Sequence, residues 1–253
     1  MAAVPQQPLV DIDDVSTWPA SIKSWTDRYA HELQGSTECT GDLAVPLEKE
    51  DEFRALFADC RLRAIHCTRL LAHERTAILA QGLRSAGLTL VNDRILGAHA
   101  AGALTDAERD EFIAGHVFAD GRKARFGNRE HQVCFIASRA TLDRDRGTGV
   151  ERLLSTWGGE VIYFPLGPKH GRRLKTLGVP SLVVAQLDIA APPRAPLHHH
   201  FTPPLGRAFV GARLSLQCGA DVFYRAPVPQ QNILAILQPG DAEYDRHRYL
   251  PQQ

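Results

Sequence analysis

His66 stands inside an otherwise apolar run, LRAIHCTRL (residues 62–70), just ahead of a stretch that ends in Gly82-Leu83. An imidazole there needs a partner, because burying it unpaired costs about 1–3 kcal/mol. It is either a core histidine bonded to a backbone carbonyl or a group that meets a ligand. Two carboxylates stand where a strand could carry them to the rim of a cleft. Glu160 follows Gly158-Gly159 at the start of EVIYF, and Asp221 follows Gly219-Ala220 at the start of VFYRA. Each would otherwise be a solvated residue at a strand end or turn. Phe126-Gly127 lies in a basic loop, RKARFGNRE (residues 122–130), ahead of the apolar run QVCFIAS (residues 132–138). Its glycine would let backbone approach a ligand closely, and Arg122, Lys123, Arg125 and Arg129 would meet an anion or face solvent. Consecutive His198, His199 and His200 alternate faces in a strand, so at most two can share a metal. No Cys, Asp or Glu cluster at ligand spacing stands nearby, and no metal site is expected.

These residues need elements to hold them. A helix is expected from Pro19, with Trp18, Ile22, Trp25, Tyr29 and Leu33 in one apolar stripe. A second should run over residues 47–60. Residues 1–19 read as a loosely held arm. Residues 62–70 read as a strand, and His73-Glu74 opens a helix ended by Gly82 or Gly87. Residues 88–118 are Ala-rich and helical, with Thr105-x-x-Glu108 as a capping box. Asp120-Gly121 marks a turn. Residues 132–138 form a strand, followed by a helix through Val150, Leu153, Leu154 and Trp157. EVIYF is read as a strand, residues 165–180 as a loop, and SLVVAQLDI (residues 181–189) as the clearest strand of all. Residues 190–206 form a Pro-rich loop. The last strands are expected at 208–216, 221–225 and 232–237, with a mobile tail after Pro239. Helices first and strands later argue for an α+β fold.

Composition bounds the function. Among 253 residues, 29 are Lys or Arg and 29 are Asp or Glu, so no net charge draws the chain to nucleic acid or membrane. A hydrophobic content of 44% and a charged content of 23% exclude a wholly disordered, collagenous or coiled-coil chain. No run is long and apolar enough for a transmembrane helix. The start, MAAVPQQPLVDIDD, has no cationic stretch followed by an apolar run, so a Sec signal peptide is not expected. Cys39, Cys60, Cys67, Cys134 and Cys218 are odd in number, widely spaced and without C-x-x-C. They fit a reduced, cytoplasmic protein, or one injected into another cell by a dedicated machine. No G-x-G-x-x-G opens an early βαβ unit, which argues against a Rossmann dehydrogenase.

Taken in order, AIHCTRLLAHERTAILAQGL, FGNREHQVCFIAS, SLVVAQLDI and DVFYRAPVPQQNILAI, spanning roughly residues 62–237, resemble the ADP-ribosyltransferase superfamily of the poly(ADP-ribose) polymerases and diphtheria-type toxins. The resemblance implies N-terminal helices (1–60), a mixed, mostly antiparallel two-sheet core (61–240) and a tail (241–253). It implies a mono-ADP-ribosyltransferase that takes NAD as substrate, cleaves the nicotinamide glycosidic bond and passes ADP-ribose to a protein or nucleic-acid acceptor. By that likeness His66 holds the ribose hydroxyls, with Cys67 and Thr68 beside the carboxamide, and Arg125 belongs to a loop at the pyrophosphate. Phe135 stacks on nicotinamide where the family often has Tyr. If Ser138 is the matching residue, the chain leans toward the arginine-serine-glutamate branch. The acid that stabilises the oxocarbenium-like centre is Glu160, which has the family's side chain, ahead of Asp221, which is one methylene shorter. A toxin or effector with an antitoxin or immunity protein is the setting implied, with no membrane partner. Water as acceptor would make an NAD glycohydrolase, and a binding module retaining the fold would release no nicotinamide. A histidine-based metallohydrolase would rest on His198–His200 alone.

Overall fold

The computed structural model describes residues 7–32, 47–119, 130–143, 149–190, 199–216 and 219–252. Among them are seven strands: β1 (Leu9–Val10), β2 (Arg61–Leu70), β3 (Val133–Ile136), β4 (Val179–Leu187), β5 (His200–Thr202), β6 (Asp221–Tyr224) and β7 (Ile233–Leu237). Nine α-helices accompany them: α1 (Ala20–Glu32), α2 (Leu47–Ala55), α3 (Ala72–Gln81), α4 (Leu88–Ala100), α5 (Asp106–Gly115), α6 (Gly149–Ser155), α7 (Gly159–Thr176), α8 (Leu205–Arg213) and α9 (Ala242–Asp245). The class is α+β.

The strands form one open sheet in the order β5-β6-β3-β2-β4-β7, and β1 pairs with β2 in parallel. All the other pairings are antiparallel. The expectation of two sheets is therefore corrected to one, but the joint is narrow. β2 pairs with β4 from Leu62↔Leu187 to Leu70↔Val179, whereas β2 and β3 share the single register pair Ile65↔Ile136. Past that pair the two halves of the sheet diverge and leave a gap.

β2 alternates strictly. Leu62, Ala64 and Leu70 enter one core, and Ile65 and Cys67 enter another on the opposite face. The first core gathers α1, α2 and α8 through Trp25, Phe53 and Phe209, whose rings lie 4.6 and 5.1 Å apart in sequence. Glu50 of α2 accepts from the backbone N–H groups of Gly206 and Arg207 at 2.9 and 3.2 Å and so caps α8. A third core lies between α4, α5 and α7. The capping box Thr105–Glu108 forms as its spacing predicts.

Several expectations are corrected. Residues 160–164 open α7 and are not a strand. The expected 165–180 loop is helix as far as Thr176, because Ile162, Leu166 and Leu174 are buried in the third core despite Pro165 and Pro168. The strand expected over 208–216 is α8, whose Leu205, Ala208 and Phe209 are fully buried. The arm is tied down from residue 7 onward: Val10, Ile12 and Trp18 are buried, and β1 lies on β2. The tail is also held, since Tyr244 and Leu250 pack under Ile65 and Cys67 and the Tyr244 hydroxyl donates to the Pro251 carbonyl at 2.6 Å. The Asp120-Gly121 turn and the basic loop up to Arg129 lie outside the described residues.

Candidate functional site

The gap between β2 and β3 opens into a cavity of about 1010 Å³. Its lining includes His66, Cys67, Thr68, Phe135, Glu160 and Asp221, so four distant stretches of chain converge on one hollow. α3 lines the cavity, and its end is pinned by Gly82, whose φ is +84°. A Cβ at Gly82 would come within 2.0 Å of the Val228 carbonyl oxygen, so no other residue fits there. Leu83 and Val228 exchange both backbone hydrogen bonds at 2.8 Å and close this end of the cavity.

His66 bridges the gap. Its Nδ1 lies 2.8 Å from the carbonyl oxygen of Cys134 on β3. A carbonyl only accepts, so Nδ1 donates and the neutral ring keeps its lone pair on Nε2. The ring retains some surface toward the cavity but is desolvated there, and burial lowers its pKa to about 4. The Cys134 carbonyl opposes that shift, and the charge of Arg94 adds to it. The imidazole is thus a fixed neutral acceptor at ordinary pH. Phe135 meets it edge-on at 5.8 Å, and Tyr224 meets Phe135 at 6.3 Å.

The carboxylates differ in setting. Asp221 begins β6, opposite Ile136, in the row Ile65–Ile136–Asp221–Thr202 that crosses the joint of the sheet. Val222 and Tyr224 enter the first core, so Asp221 belongs to the other face, with Cys67. The Cys67 thiol is pushed up to about 12, first by burial and then by the charge of Asp221. Glu160 sits in the first turn of α7, with Arg152 Nη2 at 3.3 Å from its Oε1. The cavity reaches both faces because it passes through the gap.

Ser138 is not among the residues that line the cavity. Its Oγ donates to Asp13 Oδ1 at 2.8 Å and accepts from the Ala140 N–H at 3.2 Å, so it ties the N-terminal segment to the end of β3. Arg125 lies outside the described residues, as does His198. His199 is buried, stacked on Tyr224 at 4.4 Å with 5° between the planes, and its Nδ1 accepts from the Arg225 N–H at 2.9 Å. His200 Nε2 lies 3.1 Å from Thr202 Oγ1. Among the described residues, no three His, Cys, Asp or Glu side chains are grouped to hold a metal ion. No helix among them is long and apolar enough to cross a membrane.

The sequence reading missed a buried hub beside the cavity. Glu74 accepts from the Leu71 N–H at 2.8 Å, Arg94 Nε at 2.5 Å and Trp157 Nε1 at 2.9 Å. It joins the end of β2, α4 and the turn that carries Gly158-Gly159-Glu160. Burial alone would raise its carboxyl, but Arg94 and the other donors hold it below the ordinary value. The one available signal was Glu74 at the third position of α3, where an acid reaches back to the helix start. Nothing local pointed to Arg94 or Trp157. Glu74→Ala is expected to cost about 3–5 kcal/mol, because it leaves Arg94 without its buried partner. Urea unfolding would measure this. The contribution is present above the unfolded carboxyl value near 4.5 and is lost as pH falls through the lower folded value. A loss below 1 kcal/mol would remove the hub from this account.

No protein-family model, curated protein or solved structure matches this chain, so the functional reading rests on the residues of the site.

Proposed function

We propose that the chain is an NAD-dependent ADP-ribosyltransferase that cleaves the nicotinamide glycosidic bond in the gap between β2 and β3. The observation that carries this reading is the convergence of His66, Phe135 and two carboxylates on one cavity that passes through a divided sheet. Past Ile65 the backbone of β2 has β4 on one side and no register partner in β3 on the other. Its edge at Cys67 and Thr68 therefore suits the carboxamide of nicotinamide, which offers one donor group and one acceptor.

In this reading the sugar lies in the gap. His66 Nε2 accepts from a ribose hydroxyl on one face, and Asp221 brings its charge from the other. The leaving nicotinamide takes the bonding pair onto its ring nitrogen and becomes neutral. Positive charge develops at the sugar carbon, and a carboxylate held nearby stabilises it. The acceptor then attacks that carbon, forms the new bond to it and releases its proton to solvent. Asp221 is assigned the stabilising role because the sheet fixes it on both sides and its charge reaches the Cys67 thiol, whereas Glu160 stands at the start of a helix.

The test is incubation with NAD labelled separately in nicotinamide and in the adenylate. Free nicotinamide should appear in proportion to enzyme. Adenylate label on protein or nucleic acid would mark transfer, and free ADP-ribose would mark hydrolysis. No nicotinamide release at any enzyme concentration would overturn the reading in favour of a binding module.

A further inference from the structure

We propose that the end of the cavity beside Gln132 is a base-reading site, built for a flat ring that carries an amino group, which in the dinucleotide is adenine. The identity of the base rests on the NAD reading, but the chemistry of the site does not.

Gln132 immediately precedes β3 and is only 3% exposed. Its Nε2 donates to the Cys134 sulfur at 3.6 Å, while its Oε1 is buried and has no hydrogen-bond partner among the described residues. Buried amide oxygens are nearly always paired, so an orphan that lines a cavity points to a donor arriving with a ligand. The backbone around it is fixed. The Gln132 carbonyl accepts from the Ala86 N–H at 2.9 Å, and the His131 N–H donates to the Ala86 carbonyl at 2.8 Å. These bonds strap the linker between α3 and α4 to the start of β3. Leu83, Ala86, Leu90, Val91 and Val133 line the same cavity. Arg84 and Asp93 line it too but pair with each other at 2.7 Å, and the unsatisfied Gln132 acceptor favours a flat ring bearing an N–H donor over a phosphate.

The nicotinamide ring is a poorer fit for this end. Gln132 lies three residues before Phe135, about 10 Å along the strand, which is beyond reach of a ring stacked on Phe135. That separation suits the second base of a folded dinucleotide. A glutamine amide offers an acceptor and a donor that match the amino group and N7 of adenine. Hypoxanthine has oxygen in place of the amino group and would set acceptor against acceptor.

The experiment compares ADP, IDP and nicotinamide binding by titration calorimetry in wild-type protein and Gln132→Met, a change of similar size that removes the orphan acceptor. Wild-type protein should bind ADP at least about tenfold more tightly than IDP. In Gln132→Met the ADP affinity should fall to the IDP level, with nicotinamide binding and thermal midpoint unchanged. Equal affinities for ADP and IDP in wild-type protein, which needs no variant, would overturn the site. So would binding of neither, discrimination that survives in Gln132→Met, or a variant that loses nicotinamide instead. Nicotinamide release without base discrimination leaves the NAD reading standing and removes this one. Discrimination without nicotinamide release does the reverse.

Discussion

His66→Ala is expected to lower nicotinamide release about 100-fold, chiefly in kcat. The imidazole does not bind the leaving group; it fixes the sugar that must flatten as the bond breaks, and misplacement of a reacting centre carries penalties of that size. The pH profile separates this role from a structural one. With a pKa lowered to about 4, the ring is neutral through the ordinary range. Wild-type activity should therefore hold down to about pH 5 and fall as pH approaches 4, because a protonated Nε2 can no longer accept. Stability follows the same group. The folded pKa lies below the unfolded value of 6.5, so the unfolded chain binds more protons between them. Stability from this source should decline as pH drops from 6.5 toward 4, by on the order of 2 kcal/mol once the solvent admitted by the cavity is allowed for. His66→Gln, which keeps an acceptor, should recover part of the rate and lose the acid limb. An alanine variant within threefold of wild type would remove His66 from the chemistry.

The strands that carry His66 and Asp221 were legible because their patterns are local. β2 and β4 alternate or stay apolar for ten and nine residues, and Gly178 bounds β4 at a turn of positive φ. The start of α7 was not legible. Glu160 to Phe164 has the β-branched and aromatic content of a strand, and Pro165 and Pro168 speak against a helix. Only the burial of Ile162, Leu166 and Leu174 against α4 and α5 overrides that local preference. α8 was hidden for a similar reason. Gly206 lowers its helix propensity, yet a Cβ there would come within 2.8 Å of the Trp25 ring, so close approach to α1 decides the residue.

The site was half legible. A histidine in an apolar strand announces a need for a partner, but the partner is a backbone carbonyl on β3, which no side-chain pattern reveals. Ser138 lies just past β3 and does not line the cavity. Its hydroxyl goes to Asp13, in a segment whose polar spacing gave no sign of docking. Gln132 looked like the polar start of a strand, and its orphan oxygen becomes visible only once burial is known. The divided sheet could not be read at all, because it depends on where a ladder stops.

Asp221→Asn should reduce kcat by about 10²–10³ with KM little changed, because the amide keeps the shape of the side chain but not the charge needed as the sugar becomes cationic. Glu160→Gln should cost only a few-fold. Its charge is already shared with Arg152 at 3.3 Å, and it approaches from a helix start instead of the sheet. The two isosteric changes thus decide between the carboxylates without disturbing packing. A second readout tests the field directly. The Cys67 thiol is held at about 12 by burial and then by the charge of Asp221, so in Asp221→Asn it should titrate lower, while in Glu160→Gln it should not move. Should Glu160→Gln abolish turnover while Asp221→Asn retains it, the charge that stabilises the sugar comes from α7, and the sugar must sit nearer the Gly158-Gly159 turn than the joint at Ile65 and Ile136.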